Sequence, residues 1–310
     1  MIRRVRQLHT PPQTPPVPPP VGADLDACYR YCEAFTRAHH ENFPVASVFL
    51  PERLRRPVFA LYAFARIADD IVDEPEHAGR RELTLAEWGE GLERCYHGEA
   101  EHPVFVALAD TVRRFELPIT PLRDLLSAFE TDLSVRRFPT WNDLSSYVGV
   151  AARPIGRLLL YVFGDRDPEH HRFAEELSSA LALTSFWQDL ARDLDLDRVY
   201  VPQEDLRHFG LDDAALFARQ PSTRLEALIR YECARTRACY ERARPLMDLV
   251  TDDLGVEIAL FWHGGSRMLD KVEARAGNLF GERARLSATD KAVVVAKALR
   301  RRGAGLFSRI

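Results

Sequence analysis

Two pairs of aspartates carry the strongest chemical signal in this sequence: Asp69 with Asp73, and Asp189 with Asp193, each pair four residues apart. At helical periodicity that spacing puts both carboxylates of a pair on one face. Between Val58 and Glu74, Tyr62 and Arg66 extend the acidic stripe; between Ser179 and Asp197, Ser185 lies one turn before Asp189. Both segments are apolar nearly all round, which predicts helices buried inside a larger bundle. On an exposed helix two like charges at this spacing cost only about 0.2–0.5 kcal/mol and mean little. In an apolar interior, carboxylates protonate, pair or bind metal. Four of them on facing helices need cations, and oxygen ligands with no adjacent histidine pattern suit magnesium, which keeps waters and bridges to phosphates. The chemistry expected is therefore that of a magnesium-diphosphate site, with a structural ion-pair network as the alternative.

The elements that must position these acids are helices. Leu, Ala and Arg dominate and β-branched runs are scarce, so the fold class expected is all-α. Asp24 reads as an N-cap, followed by Leu25, Cys28, Tyr29, Cys32 and Phe35 at amphipathic spacing. Further helices are expected near 52–73, 82–97, 102–116, 121–134, 142–163, 170–197, 222–250, 254–276 and 287–301, separated by prolines and glycines. Residues 10–20 hold seven prolines and favour extended polyproline geometry. The domain reading is a disordered leader over 1–22, one catalytic domain over 23–302, and a flexible basic tail over 303–310.

Other classes are disfavoured. The net charge of −4, from 42 basic and 46 acidic residues, is well mixed and gives no field for nucleic acid. Five cysteines form no CxxC pair, so they read as reduced cytosolic thiols; Cys28 and Cys32 share a helix face but lack a second ligand pair, which favours core packing over zinc. Arg3, Arg4 and Arg6 precede no apolar stretch of a secretory signal, and no run of 18 apolar residues exists to span a bilayer. The location expected is cytoplasmic, and any membrane contact would be peripheral, through the basic segment Arg300–Arg309. Glu74-Pro-Glu-His77 has di-iron spacing, but Pro75 interrupts it, and a solvated loop is expected.

Residues 25–295 resemble the squalene and phytoene synthases, which carry two DxxxD motifs on opposed helices. Beyond the acids, the likeness rests on Tyr62-Ala-Phe-Ala-Arg66, Phe129-Glu-Thr-Asp132, Tyr147 leading into Pro154-Ile-Gly156, and Arg198-Val-Tyr200-Val-Pro202. The resemblance implies an isoprenoid synthase fold, a single helical bundle around a central cavity. Three stretches look most like the hydroxysqualene synthase branch of bacterial hopanoid biosynthesis: Glu41–Ser47, Arg153–Gly156 and Ser185–Asp189. That branch ionises presqualene diphosphate with magnesium, rearranges the cation and adds water, a lyase-type reaction.

The resemblance implies roles for individual residues. Asp69, Asp73, Asp189, Asp193 and Ser185 would hold magnesium. Arg66, Arg198 and Tyr200 would clamp phosphate, while Tyr62, Tyr147 and Phe43 would line the path of the cation, with Asn42 also in contact with substrate. His39 and His40 are candidates to position the quenching water, against a plain helix-end role. Ala182 and Ser185 stand where the family usually has Gln and Asn, and Arg153 where this branch usually has Asn. The alternatives are head-to-head condensation of prenyl diphosphates and, in another class, a non-catalytic scaffold of the same fold. No oligomeric state is implied.

Overall fold

A computed structural model of the chain describes residues 16–39, 50–250 and 252–307. Fifteen α-helices and one 3-10 turn (Pro75–His77) are present among them, with no β-strand beyond an isolated bridge between Arg137 and Val199. The helices are α1 (Leu25–Ala38), α2 (Glu52–Asp73), α3 (Arg81–His97), α4 (Pro103–Phe115), α5 (Thr120–Ser134), α6 (Trp141–Ala151), α7 (Arg153–Phe163), α8 (Pro168–Gln188) and α9 (Leu190–Asp195). They continue with α10 (Gln203–His208), α11 (Asp213–Phe217), α12 (Thr223–Ala243), α13 (Leu246–Leu249), α14 (Asp252–Glu273) and α15 (Ala288–Phe307). No described helix is long and apolar enough to cross a membrane.

The all-α expectation is met, but three long stretches are broken. The 142–163 stretch divides at Ala152, whose φ of −128° is not helical, and the 170–197 stretch divides at Asp189, with φ −100° and ψ 9°. The 222–250 stretch stops at Ala243, where Pro245 removes the amide donor that a continuous helix needs. α10 and α11 occupy the expected gap between Pro202 and Pro221, too short for apolar periodicity to register. α15 runs to Phe307, past its expected end near 301.

The chain forms two compact units. The first comprises the described residues up to Leu133 together with Arg157–Arg166. Here α2 packs on α1, α3 and α4. Phe64, Trp88 and Phe105 form an aromatic cluster, with Trp88 and Phe105 centroids 4.4 Å apart. The Trp88 indole N–H also donates to the Phe64 carbonyl at 3.2 Å, bracing α2 just before its acids.

The second unit comprises Ser134–Gly156 and the described residues from Asp167 onward. Its centre is α8, packed on α6, α12 and α14. From Leu177 to Leu190 only Ser185 is more than slightly exposed. Polar side chains on this buried helix find partners on its neighbours: Trp187 Nε1–H donates to Thr236 Oγ1 at 2.8 Å, and Thr184 Oγ1 lies 3.0 Å from Tyr240 Oη. Such pairing is required, because an unmatched buried polar group costs about 1–3 kcal/mol.

Glu232 of α12 is fully buried, and burial pushes its carboxyl pKa up to about 8. Arg235, 3.4 Å away, acts in the opposite sense without prevailing, while the neighbouring Asp205 adds to the rise. A carboxyl that holds its proton more tightly folded than unfolded weakens the fold as pH climbs from the unfolded value, near 4.5, to about 8. The variant Glu232→Gln has no such proton to lose. Its stability relative to the parent is expected to rise across that window, as read by urea unfolding at pH 5, 7 and 9. Parallel pH profiles for the two chains would refute this assignment.

Candidate active site

The first acid stripe lies on α2, where Tyr62, Arg66, Asp69 and Asp73 recur at spacings of four, three and four. Asp69 is 1% exposed, Tyr62 is buried, and Arg66 and Asp73 are partly covered. Arg66 bridges two carboxylates, with Nη1 3.2 Å from Asp69 and Nη2 2.8 Å from Asp70. One guanidinium therefore offsets two charges and fixes the rotamer of Asp69 on the helix face. His39 follows the last turn of α1, its Nδ1 2.8 Å from the Phe35 carbonyl and its Nε2 3.3 Å from Asp70. That is the helix-end role. His40, Asn42 and Phe43 lie outside the described residues.

The second stripe straddles the break between α8 and α9. Asp189 ends α8, and its carbonyl still accepts from the Asp193 amide at 2.9 Å, so the one-turn relation of the two acids survives. Asp189 is 4% and Asp193 2% exposed. Ser185, one turn earlier, is half-buried and donates its hydroxyl to the Leu181 carbonyl at 3.1 Å, leaving its oxygen lone pairs for a cation. After α9 the chain turns back: Asp197 has φ +53°, and the Arg198 amide donates to the Asp193 carbonyl at 2.8 Å. Aspartate tolerates this left-handed conformation better than most residues. The turn delivers buried Arg198 and Tyr200 beside the second stripe, and the Val199 amide then pairs with the Arg136 carbonyl at 3.0 Å.

Two participants were not foreseen. Arg283, 94 residues beyond Asp189, grips its carboxylate with both arms, Nε to Oδ1 at 2.5 Å and Nη2 to Oδ2 at 2.9 Å. No spacing rule ties the two together in sequence; an arginine in the irregular stretch between Gly277 and Ser287 was the available hint. Phe186 stacks face to face on Tyr200, with centroids 3.9 Å apart and planes within 2°. Tyr147 and Phe138 complete this aromatic group, with Tyr147 6.1 Å from Tyr200.

The oxygen-rich donor set fits a hard divalent cation better than a soft one. All five cysteines are buried, and burial raises the Cys32, Cys95 and Cys233 thiols to about 12, which opposes the thiolate that zinc needs. Among the described residues no cluster of three or more His, Cys, Asp or Glu side chains could by itself hold a metal ion. An acid pair could therefore supply only part of a shell, which would suit a cation such as magnesium that keeps several waters and takes the remainder from phosphate oxygens.

With this geometry in place, the comparisons with known proteins are informative. The squalene/phytoene synthase family matches residues 36–290. The chain belongs to that family. It is therefore related to head-to-head prenyltransferases of isoprenoid biosynthesis, which act on prenyl diphosphates and generally depend on a divalent metal. A solved squalene synthase, HpnC from Alicyclobacillus acidocaldarius, is 36% identical, with a TM-score of 0.78 over 82% of this chain and 96% of that one. A dehydrosqualene synthase solved with a ligand is 25% identical, with a TM-score of 0.81 over 90% of this chain and 98% of that one. The phytoene synthase of Thermus thermophilus is 30% identical over 84% of this chain and 89% of its own length. These likenesses establish the isoprenoid synthase fold for this member of the squalene/phytoene synthase family.

The Pro154-Ile-Gly156 segment owes its glycine to packing. A Cβ on Gly156 would stand 2.6 Å from both the Ala174 carbonyl oxygen and Ser178 Oγ of α8. The carbonyl is helix backbone and cannot step aside, so α8 itself would have to shift. The variant Gly156→Ala is expected to lose about 1–3 kcal/mol of stability. Chemical unfolding measures this, and a change below about 0.5 kcal/mol, the range of neutral surface substitutions, would contradict the close approach.

Proposed function

We propose that this protein is a magnesium-dependent hydroxysqualene synthase: it ionises presqualene diphosphate, rearranges the cation and adds water to give hydroxysqualene and diphosphate. One observation carries the metal-diphosphate part of the reading. Three of the four motif aspartates are almost wholly buried, a placement that calls for cations, a role that Arg66 and Arg283 fill for Asp69 and Asp189 and that magnesium would share when bound. The choice of branch rests on Arg153–Gly156, Ser185–Asp189 and Glu41–Ser47, and gains support from the 36% identity to a protein named squalene synthase HpnC.

On this reading Asp69 and Asp73, and Asp189 and Asp193 with Ser185, hold magnesium. When bound, magnesium offsets the negative charge that grows on the departing diphosphate. Arg66, Arg198 and Tyr200 bind phosphate oxygens, so the carbon–oxygen bond breaks with its electron pair going to a prepositioned anion. Tyr62 and Tyr147, with Phe43 and Asn42, face the hydrocarbon, where aromatic faces stabilise a cation without capturing it. These side chains exclude bulk water, and one admitted water attacks the rearranged cation and releases a proton. The buried free cysteines favour a cytoplasmic setting, with any membrane contact peripheral, through the basic segment Arg300–Arg309.

A second reading, head-to-head condensation of two prenyl diphosphates, is favoured by the relatives named phytoene synthase. Incubation with magnesium and a single substrate separates the two. Presqualene diphosphate alone should release diphosphate and yield hydroxysqualene by mass spectrometry, while farnesyl diphosphate alone should persist. Consumption of farnesyl diphosphate alone would transfer the assignment to the condensing enzyme.

Asp69→Asn and Asp189→Asn should each lower turnover by about 10²–10³-fold or more, comparable to removing one preorganised electrostatic contact, with folding retained by circular dichroism. Activity within tenfold of the parent would remove these acids from the mechanism. Magnesium with inorganic diphosphate should also raise the melting temperature. A melting temperature indifferent to both would favour a non-catalytic scaffold.

A further inference from the structure

The segment that carries Arg283 is fixed by its backbone. Gln188 Nε2–H donates to the Ala284 carbonyl at 2.8 Å, and Arg275 donates to the Glu282 carbonyl. A few residues on, Ser287 and Asp290 exchange hydrogen bonds in a capping box, with the Ser287 amide 2.8 Å from Asp290, and Lys271 lies 2.8 Å from the same carboxylate. Residues 282–287 are thus held at both ends, and from this anchored segment the Arg283 side chain reaches Asp189. That side chain places one nitrogen on each oxygen of Asp189 in a nearly closed environment, 16% and 5% exposed for the two partners. A buried carboxylate whose two oxygens are both engaged by a guanidinium has its charge compensated with no metal present.

We propose that Arg283 is a positioning residue that acts as a built-in counter-ion, competing with magnesium for Asp189. The proposal rests on the reading of Asp189 as a metal ligand. Metal and guanidinium cannot share the same lone pairs, so magnesium takes the lone pairs that Arg283 now holds only after at least one arm has let go. The arginine keeps Asp189 in its binding rotamer and spares the fold an uncompensated buried charge, and in exchange it lowers the affinity for metal alone. By reciprocity, whatever Arg283 takes from metal affinity, bound metal takes from the Arg283–Asp189 contact. Diphosphate supplies the anion that draws the pair apart, so metal binds productively when substrate accompanies it.

Titration calorimetry of the whole chain with magnesium chloride alone tests this, using the parent, Arg283→Gln, Arg283→Lys and Asp189→Asn. Arg283→Gln removes the competing charge and should bind magnesium roughly 5- to 100-fold more tightly, the span of ordinary coupling between sites. Arg283→Lys keeps the charge but loses the two-armed grip and should fall between it and the parent. In the absence of magnesium the Arg283→Gln chain should melt at a lower temperature than the parent, and saturating magnesium should narrow that gap. Asp189→Asn should weaken magnesium binding, and if it does not, the metal reading of Asp189 fails. If Asp189→Asn weakens binding while Arg283→Gln and Arg283→Lys bind magnesium no better than the parent, the metal site stands and the competition is overturned. Should Arg283→Gln fail to fold, the Arg283→Lys chain decides alone: tighter binding supports competition, and equal or weaker binding refutes it.

Discussion

Placing a carboxylate where water cannot reach it is the constraint from which most of this structure follows. Asp189 sits at the end of a helix that is covered on nearly every side, Asp193 is buried on the short helix that follows, and Asp69 is equally enclosed on α2. An isolated ion in such a place would protonate or unfold its surroundings. The protein answers with arginines delivered from defined places: Arg66 from one turn earlier on the same helix, and Arg283 from an irregular segment far along the chain. These pairings add little net stability, because desolvation consumes most of the Coulomb gain. What they do is hold Asp69 and Asp189 each in one orientation, which on the proposed reading is the one that meets magnesium.

The surrounding helices are arranged to make that enclosure possible. α8 is lined with Ser178, Ser179, Ala180, Ala182, Thr184 and Ser185, small side chains that let α6, α12 and α14 come close on different sides. At Gly156 the α7 backbone leaves no room for even a methyl group against α8, and at Gly265 of α14 an added Cβ would collide with Leu181 of α8. The buried polar groups of α8 are matched to its neighbours: Trp187 to Thr236, Thr184 to Tyr240 as well as to the Ala180 carbonyl of its own helix, and Gln188 to the Ala284 carbonyl. The last of these matches also anchors the segment bearing Arg283, so one set of contacts buries the acid and supplies its counter-ion.

How much of this is legible in the sequence depends on the range of the interaction. The acid pairs, Arg66 and Ser185 are separated by single helical turns, and periodicity alone brings them together. Helices bounded by proline or glycine, such as α2 and α3, fall close to the expected limits. The break at Asp189 was invisible, because no proline or glycine lies near it, whereas the break at Ala152 had a signal in Pro154, two residues on, which lacks the amide donor a continuous helix needs. Arg283 and Phe186 were missed on other grounds. The arginine reaches its partner across 94 residues through the fold, and the phenylalanine resembles any core aromatic until Tyr200 is folded back upon it. The family likeness was legible because it rests on several short motifs in fixed order, each tied to one local geometry.

The break at Asp189 and the left-handed turn at Asp197 explain how charge and apolar surface come to be joined. Phe186 lies three residues before Asp189 on the same helix, and Tyr200 lies two residues after Arg198 on the returning stretch of chain. The stack between the two rings therefore ties the acid-bearing helix directly to the segment that carries the basic group. A shift of Asp189 by even part of an ångström must drag Phe186 against Tyr200, and close-packed rings resist such motion. On the proposed reading, the groups that part diphosphate from carbon and the aromatic wall that meets the resulting cation move as one body. Ionisation then takes place with the wall already in position, and the shape of that wall, rather than the acids shared across the family, decides which carbon water reaches.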